Sequence, residues 1–150
     1  MRSFTSAIGA TLDSGRLTAG GSSTGLQHIY LWNNQNTLTI NSRVVNNPGG
    51  GSVRLVLSGG GTVTLVNEQN SYTGGTVFNT AANTSPTVAG TVIPAGGVTI
   101  NDFIVAVTPT TSVGFGSIAA ANTVVLNGGA QLNFPNYAAT GTNSLASLPF

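Results

Sequence analysis

The side chains that could carry acid–base or metal chemistry are few in this 150-residue chain, which has one histidine, three carboxylates and four arginines but no lysine and no cysteine. They are His28, Asp13, Glu68, Asp102, Arg2, Arg16, Arg43 and Arg54. A histidine that binds a metal ion needs further ligands at suitable spacing, and His28 has none near it in the sequence. We therefore interpret His28 as a hydrogen-bonded structural residue.

The three carboxylates are too scattered to predict an acid pair. Hydrolysis or elimination on a sugar needs at least two clustered acids, often with a cation beside them. Asp102 and Glu68 could approach one another if they lay one turn apart in a coiled fold, but we expect them to be solvated corner residues. We predict no catalytic, cofactor-binding or metal-binding residues, and no enzymatic activity.

Other patterns have a binding interpretation and a structural one. The glycine runs 49–51 and 59–61 precede neither a helix nor a lysine, so they indicate turns rather than phosphate loops. Thr-x-Thr pairs begin at Thr37 and Thr62 as in the threonine ladders of ice-binding coils, but later strands do not continue them. Four aromatic side chains could form a sugar-stacking surface, although their dispersed placement favours packing in the core or at corners: Tyr30, Trp32, Tyr72 and Tyr137.

Composition excludes several classes of function. Charged residues make up 5% of the chain and the formal net charge is +1, which is too little basic charge to drive binding to nucleic acid or to an anionic membrane. No run approaches the roughly 20 apolar residues that a membrane-spanning helix needs, and no signal-peptide core is present. We expect a soluble chain that is either mature or cut from something larger. A lack of cysteine fits a chain that crosses a cell envelope unfolded.

The elements that must position these side chains are short strands, because β-branched residues and threonine are abundant while Gly, Asn, Ser and Pro mark turns. The organising stretch is Gly59–Thr80, with strands at Thr62–Val66 and Thr76–Phe78 around a polar corner. Further predicted strands are Ala10–Leu12, Arg16–Ala19, Leu26–Trp32, Thr37–Asn41, Val53–Leu57, Val98–Ile100, Ile104–Val107, Thr123–Leu126 and Ala130–Phe134, with a weak strand at Thr91–Ile93.

Similar strands recur along the chain at 37, 62, 98 and 123, with intervals of 25, 36 and 25 residues. A period in the twenties with a strand–corner–strand unit is typical of a β-solenoid. We predict one all-β domain over 1–150, a parallel β-helix of roughly six turns. We interpret 80–97 as a loop insertion, which would explain the long interval, and 135–150 as an irregular tail. A β-sandwich or jelly roll, built from antiparallel hairpins, is the alternative.

The stretch GGGTVTLVNEQNSYTGGTVFNT also resembles the autotransporter-associated β-strand repeat, most specifically in the YTGGT motif of Tyr72–Thr76. The weaker likeness of the flanking strands extends it over roughly 37–134. It departs from the family at Glu68 and Gln69, which replace the usual Ser-Gly, and in the spacing across 80–97. The resemblance implies a right-handed parallel β-helix exported to a bacterial cell surface, where such modules act as stalks, adhesins or matrix components. It implies no catalytic residue.

We therefore expect a non-enzymatic, extracellular structural or adhesive β-solenoid. Exposed strand edges at the ends of a solenoid need a polar or charged cap, and neither terminus supplies one. The chain would then be a passenger-like piece of a longer protein or a subunit that stacks end to end into a fibre. Expected partners are copies of itself, and surface glycans and the surfaces of host or neighbouring cells are further candidates. Alternatives are a carbohydrate-active β-helix enzyme, a carbohydrate-binding module, and a jelly-roll or pilin-like assembly subunit.

Overall fold

Every regular element in the described part of the chain is a β-strand. The computed structural model describes residues 2–4 (backbone only), 9–86, 91–107, 118–119 and 121–134. The strands are β1 Arg2–Phe4, β2 Ala10–Leu12, β3 Arg16–Leu17, β4 Gln27–Asn33, β5 Thr37–Ile40, β6 Arg43–Val44, β7 Val53–Ser58, β8 Thr62–Leu65, β9 Thr76–Asn79, β10 Ala82–Thr84, β11 Val98–Asn101, β12 Ile104–Val107, β13 Val124–Asn127 and β14 Gln131–Asn133.

The strands stack into two six-stranded parallel sheets. The first sheet has the order β1-β4-β7-β9-β11-β13, the second β14-β12-β10-β8-β5-β2, and β3 pairs with β6 on a third side. The chain alternates between the first and second sheets, so each passage adds one level to a coil. The fold is thus a parallel β-solenoid, which confirms the predicted fold class, while the figure of roughly six turns is only approximate. Antiparallel hairpins, which the jelly-roll alternative requires, do not occur among these strand pairs.

Alternation of apolar and polar residues sends one set of side chains into the coil. In β7, Val53, Leu55 and Leu57 are fully buried, as the sequence predicts. Leu38 of β5 stacks in register on Val63 of β8, and both are fully buried. Burial of such a side chain contributes about 1.5–3 kcal/mol, and each turn covers its neighbour. The core is therefore a continuous column that no turn could form alone.

Asn70 ties three turns together from the third side of the coil. Its Oδ1 accepts a hydrogen bond from the Val44 backbone N–H at 2.7 Å, and its Nδ2 donates to the Val92 carbonyl at 2.8 Å. Val44 belongs to the preceding turn and Val92 to the following one. Because these groups are buried, the amide supplies partners that water cannot.

Two sequence-based interpretations need correction. The four similar strands do not share a sheet: those at 37 and 62 are β5 and β8 of the second sheet, whereas those at 98 and 123 correspond to β11 and β13 of the first. The interval of 36 residues therefore contains one turn and, in addition, the passage from the second sheet to the first. Part of this turn is β10, Ala82–Thr84, which lies between β8 and β12.

The segment 80–97 is accordingly not simply a loop insertion. Besides β10, it contributes the fully buried Val92 and Ile93 to the core, and Ile93 forms a parallel bridge with Ile118. The Ala- and Thr-rich composition of this segment suggested a loop without a core, but small side chains can also fill the inside of a narrow coil. The tail at 135–150 lies outside the described residues.

Candidate functional site

The outer face of β4 presents a row of three aromatic rings, from His28, Tyr30 and Trp32. The row forms because Ile29 and Leu31, which alternate with the rings, are drawn into the core and are 6% and 3% exposed. Tyr30 is 53% and Trp32 42% exposed. The rings of His28 and Tyr30 are stacked, with centroids 5.6 Å apart and planes inclined by 18°. We call these three residues the aromatic strip.

The next strand places a cation beside the strip. In the parallel register of β4 and β7, Arg54 lies opposite His28, Val56 opposite Tyr30 and Ser58 opposite Trp32. The Arg54 Nε donates to the Gly74 carbonyl at 2.8 Å, which fixes the direction of the side chain. Among the hydrogen bonds of the described residues, its terminal nitrogens take no part, so they remain able to bind a ligand.

A shallow depression of about 110 Å³ opens next to Arg54. Two glycine corners border it, and the backbone approaches them too closely for a side chain: a Cβ on Gly74 would lie 2.6 Å from the Val53 carbonyl carbon, and one on Gly75 would clash with the Gly96 carbonyl oxygen. The lining is formed by Arg54, Gly74, Gly75, Thr76, Val77, Gly96, Gly97 and Thr99. No carboxylate is among these residues.

A ladder of polar side chains crosses the same face at the far ends of the strands. Asn127 Nδ2 donates to Asn101 Oδ1 at 2.7 Å, Asn101 Nδ2 donates to Asn79 Oδ1 at 2.6 Å, and Asn79 Nδ2 donates to Ser58 Oγ at 3.2 Å. Ser58 is in register with Trp32, so the ladder starts beside the Trp32 end of the strip and runs across the sheet, roughly at right angles to it. Each amide has a second proton and further lone pairs, so the ladder can still bond to a ligand or to water.

The fold does not bring the predicted acid candidates together. Glu68 follows β8 of the second sheet, whereas Asp102 lies between β11 and β12, at the corner where the chain leaves the first sheet. The Asp102 Oδ1 accepts from the Gly129 N–H at 3.2 Å. Asp13 lies between β2 and β3, and its Oδ1 accepts from the Ser14 N–H at 3.1 Å. Each carboxylate is thus a corner residue.

The aromatic candidates separate into two environments. Tyr72 is fully buried, and its hydroxyl shares a hydrogen bond of 2.6 Å with the Thr76 Oγ1. Burial raises the pKa of the Tyr72 phenol far above its ordinary value, and the hydrogen bond to Thr76 offsets only part of this effect. Tyr72 is therefore a core residue, Tyr30 and Trp32 are on the surface, and Tyr137 lies outside the described residues.

The threonine pairs form a ladder of two or three levels. Thr37 pairs with Thr62, and Thr11, Thr39 and Thr64 form one column, which continues from Thr64 to Asn83. The next level has Ala106 in this position. The second sheet therefore lacks the repeated threonine face over the turns described.

Sequence reasoning missed the juxtaposition of Arg54 with His28 and also missed the asparagine ladder. The ladder had a signal, because Asn79, Asn101 and Asn127 each close a strand of the first sheet after an apolar residue. The pattern was hidden because the strands at 98 and 123, which correspond to β11 and β13, were grouped with β5 and β8 of the other sheet. The neighbour of Arg54 had no comparable signal, since it depends on the register between β4 and β7.

No group of three or more His, Asp or Glu side chains able to hold a metal ion occurs in the described part of the chain. Nor do those residues contain a helix long and apolar enough to cross a membrane. Comparison of the chain with protein-family models, with curated proteins and with solved structures gives no match.

Proposed function

We propose that this protein is a non-enzymatic structural and adhesive β-solenoid of the bacterial cell surface, which associates end to end with other copies of itself. The observation that carries the proposal is the exposed core at one end of the coil. Leu126 occupies an inward position of β13, yet it is 43% exposed, whereas the equivalent residues of inner turns are covered by the next strand.

The strand edges at this level favour association. Among the described residues, β13 pairs only with β11 and β14 only with β12, so each has an edge with backbone groups able to extend a sheet. Unpaired parallel edges are templates for another strand. Stacking of a second copy on this end would use two different surfaces, and such heterologous contacts produce open filaments.

The arrangement of charges favours a non-catalytic role. The three carboxylates occupy separate corners, and the described surface of the first sheet consists mainly of hydroxyl, amide and aromatic side chains. A rigid rod with regular faces is suited to holding contacts along its length. The cell-surface location rests on the resemblance of Gly59–Thr80 to passenger-domain repeats.

Negative-stain electron microscopy combined with multi-angle light scattering over a concentration series tests the proposal. We expect regular filaments with the width of one coil and a mass that grows with concentration. A monomer that persists at high concentration would overturn end-to-end association. In that case the adhesive part of the proposal would depend on the side faces alone.

A further inference from the structure

We infer that the aromatic strip and Arg54 form a binding site for an acidic glycan, namely a chain of uronic-acid sugars whose carboxylate pairs with Arg54. This inference specifies the adhesive part of the proposed function and rests on it. It does not depend on end-to-end association, because the strip lies on the side of the coil and the proposed stacking surface lies at its end.

The strip has the geometry to stack on sugar rings. Alternate residues of a strand are about 6.6–6.8 Å apart, so His28, Tyr30 and Trp32 span a row of roughly 13 Å along β4. The rings of His28 and Tyr30 stack on each other, so the ring surface left for a sugar is the exposed part of Tyr30 and Trp32. A pyranose presents a face of weakly positive C–H groups, which packs against the negative face of an aromatic ring.

Arg54 supplies the charge that selects an acidic sugar. It lies opposite His28 on the adjacent strand, and neighbouring strands are about 4.8 Å apart. Its Nε is held by the Gly74 carbonyl, which leaves the two terminal nitrogens to receive a carboxylate in the bidentate geometry that guanidinium favours. The described residues show no acid on this strip or in the adjoining depression, so a ligand carboxylate would meet an uncompensated positive charge.

The depression beside Arg54 fits a small polar substituent. Its volume is about 110 Å³, and a water molecule occupies about 30 Å³ in the liquid. A carboxylate with a few waters can therefore be accommodated on the side of Arg54 that faces β9 and β11, while a neighbouring sugar of the same chain lies on the strip. The glycines that border the depression leave backbone groups accessible, and Thr99 adds a hydroxyl.

A glycan fits this face better than a protein partner does. Protein interfaces depend on a desolvated apolar centre in which a few anchors fill pockets. Here a single row of rings is bordered on β7 by Arg54, Val56 and the hydroxyl of Ser58, and the amide of Asn79 on β9 lies beyond Ser58. Hydroxyl and amide groups beside aromatic rings match the alternating C–H and O–H surface of a sugar chain.

The test is calorimetric titration of the full chain with oligogalacturonate, using its methyl ester as a matched ligand that keeps the rings and removes the charge. We expect the acid to bind and the ester to bind at least about ten-fold more weakly, because a charge-assisted hydrogen bond is roughly twice as strong as a neutral one. Added salt should weaken binding of the acid. Equal binding of both ligands, or no binding of the acid, would overturn the inference.

Four variants locate the site. Tyr30→Ala and Arg54→Gln should each reduce affinity for the acid by about ten-fold, since each removes one of the two interactions. The controls are Phe103→Ala, an exposed ring at a corner, and Arg16→Gln, an exposed arginine of β3, and both should bind as the parent does. Thermal unfolding checks that every variant is folded, with Tyr30→Leu as a second substitution if Tyr30→Ala unfolds. Unchanged binding in both site variants would contradict the site.

The outcomes separate this inference from the proposed function. A sulfated glycan that binds more tightly than the uronate would overturn the carboxylate assignment. A chain that forms filaments without binding uronate retains the structural proposal and loses the site. A chain that stays monomeric but binds uronate through Tyr30 and Arg54 retains the site and loses end-to-end association.

Discussion

Leu126 lies next to Ile100 in the first sheet as its in-register partner, yet Leu126 is 43% exposed while Ile100 is fully buried. The difference arises because Ile100 is covered on both sides, by Leu126 and by Phe78 of β9. Leu126 has such a neighbour on one side only in the described structure. The core of the coil therefore continues to the surface at this end.

Substitution of Leu126 by arginine should block association at this end. A charge placed over the apolar end of the core would have to be desolvated when a second copy stacks on it. We expect Leu126→Arg to remain monomeric in light scattering at concentrations where the parent associates. The matched control is Val125→Arg, because Val125 is similarly exposed at 44% but points out of the sheet. Equal association of both variants would argue against stacking at this end.

Removal of the Asn70 amide should destabilise the coil more than any exposed asparagine does. Asn70→Ala leaves the buried Val44 N–H and the Val92 carbonyl without partners, at a cost of roughly 1–3 kcal/mol for each group. The free energy of unfolding, measured by denaturant titration, should fall accordingly. Asn127→Ala is the control, since its side chain is exposed and has one partner, Asn101. A change below about 0.5 kcal/mol, typical of surface substitutions, would contradict the bridging role of Asn70.

Adjacent glycines after β13 should respond differently to alanine. Gly128 has a φ of 63°, and a Cβ there would lie 1.7 Å from the Asp102 Oδ1, whereas a Cβ on Gly129 would meet nothing within 4 Å. Left-handed backbone costs a residue with a Cβ roughly 1–2 kcal/mol, and Asp102 must also move. We expect Gly128→Ala to lower stability by at least this amount and Gly129→Ala to change it little.

A double variant separates the two causes of that loss. If the clash with the carboxylate contributes, Asp102→Ala should reduce the cost of Gly128→Ala, and the backbone cost should remain. Strict additivity of the two substitutions in unfolding experiments would show that the carboxylate moves away freely.

Alternation within strands made the inward residues predictable, but it did not reveal which side of the coil a strand occupies. Val53, Leu55 and Leu57 of the predicted strand share one buried face, because side chains in a strand alternate with a period of two. The strands TLTI at Thr37 and VTIN at Val98 follow the same pattern, yet they lie in different sheets. Local sequence specifies a strand and its buried face, while the assignment to a sheet depends on the lengths of all preceding corners.

Register between turns was unpredictable for the same reason. Ala82 pairs with Val63, 19 residues earlier, whereas Leu38 pairs with Ala10, 28 residues earlier. With spacing this variable, the sequence could not place Arg54 beside His28 or bring the glycine corners together at one depression. The residues of the aromatic strip belong to one strand and alternate, but the preference for packing in the core or at corners was wrong for Tyr30 and Trp32, which are on the surface.

The Tyr72 phenol should make the protein less stable in alkali. Because burial raises the pKa of Tyr72 in the folded state, the folded chain holds this proton at pH values where the unfolded chain, with a pKa of about 10, has lost it. The unfolded state then binds fewer protons, so stability falls as pH rises. The stabilisation is fully present below about pH 10 and declines above it by up to about 1.4 kcal/mol per pH unit.

Denaturant unfolding between neutral pH and pH values above 10 measures this dependence of stability on pH. Tyr72→Phe should abolish most of the slope, at a cost of roughly 1–3 kcal/mol at neutral pH for the unpartnered Thr76 hydroxyl. Tyr30→Phe, which alters an exposed phenol, should retain the slope, and an unchanged slope in Tyr72→Phe would show that another group is responsible.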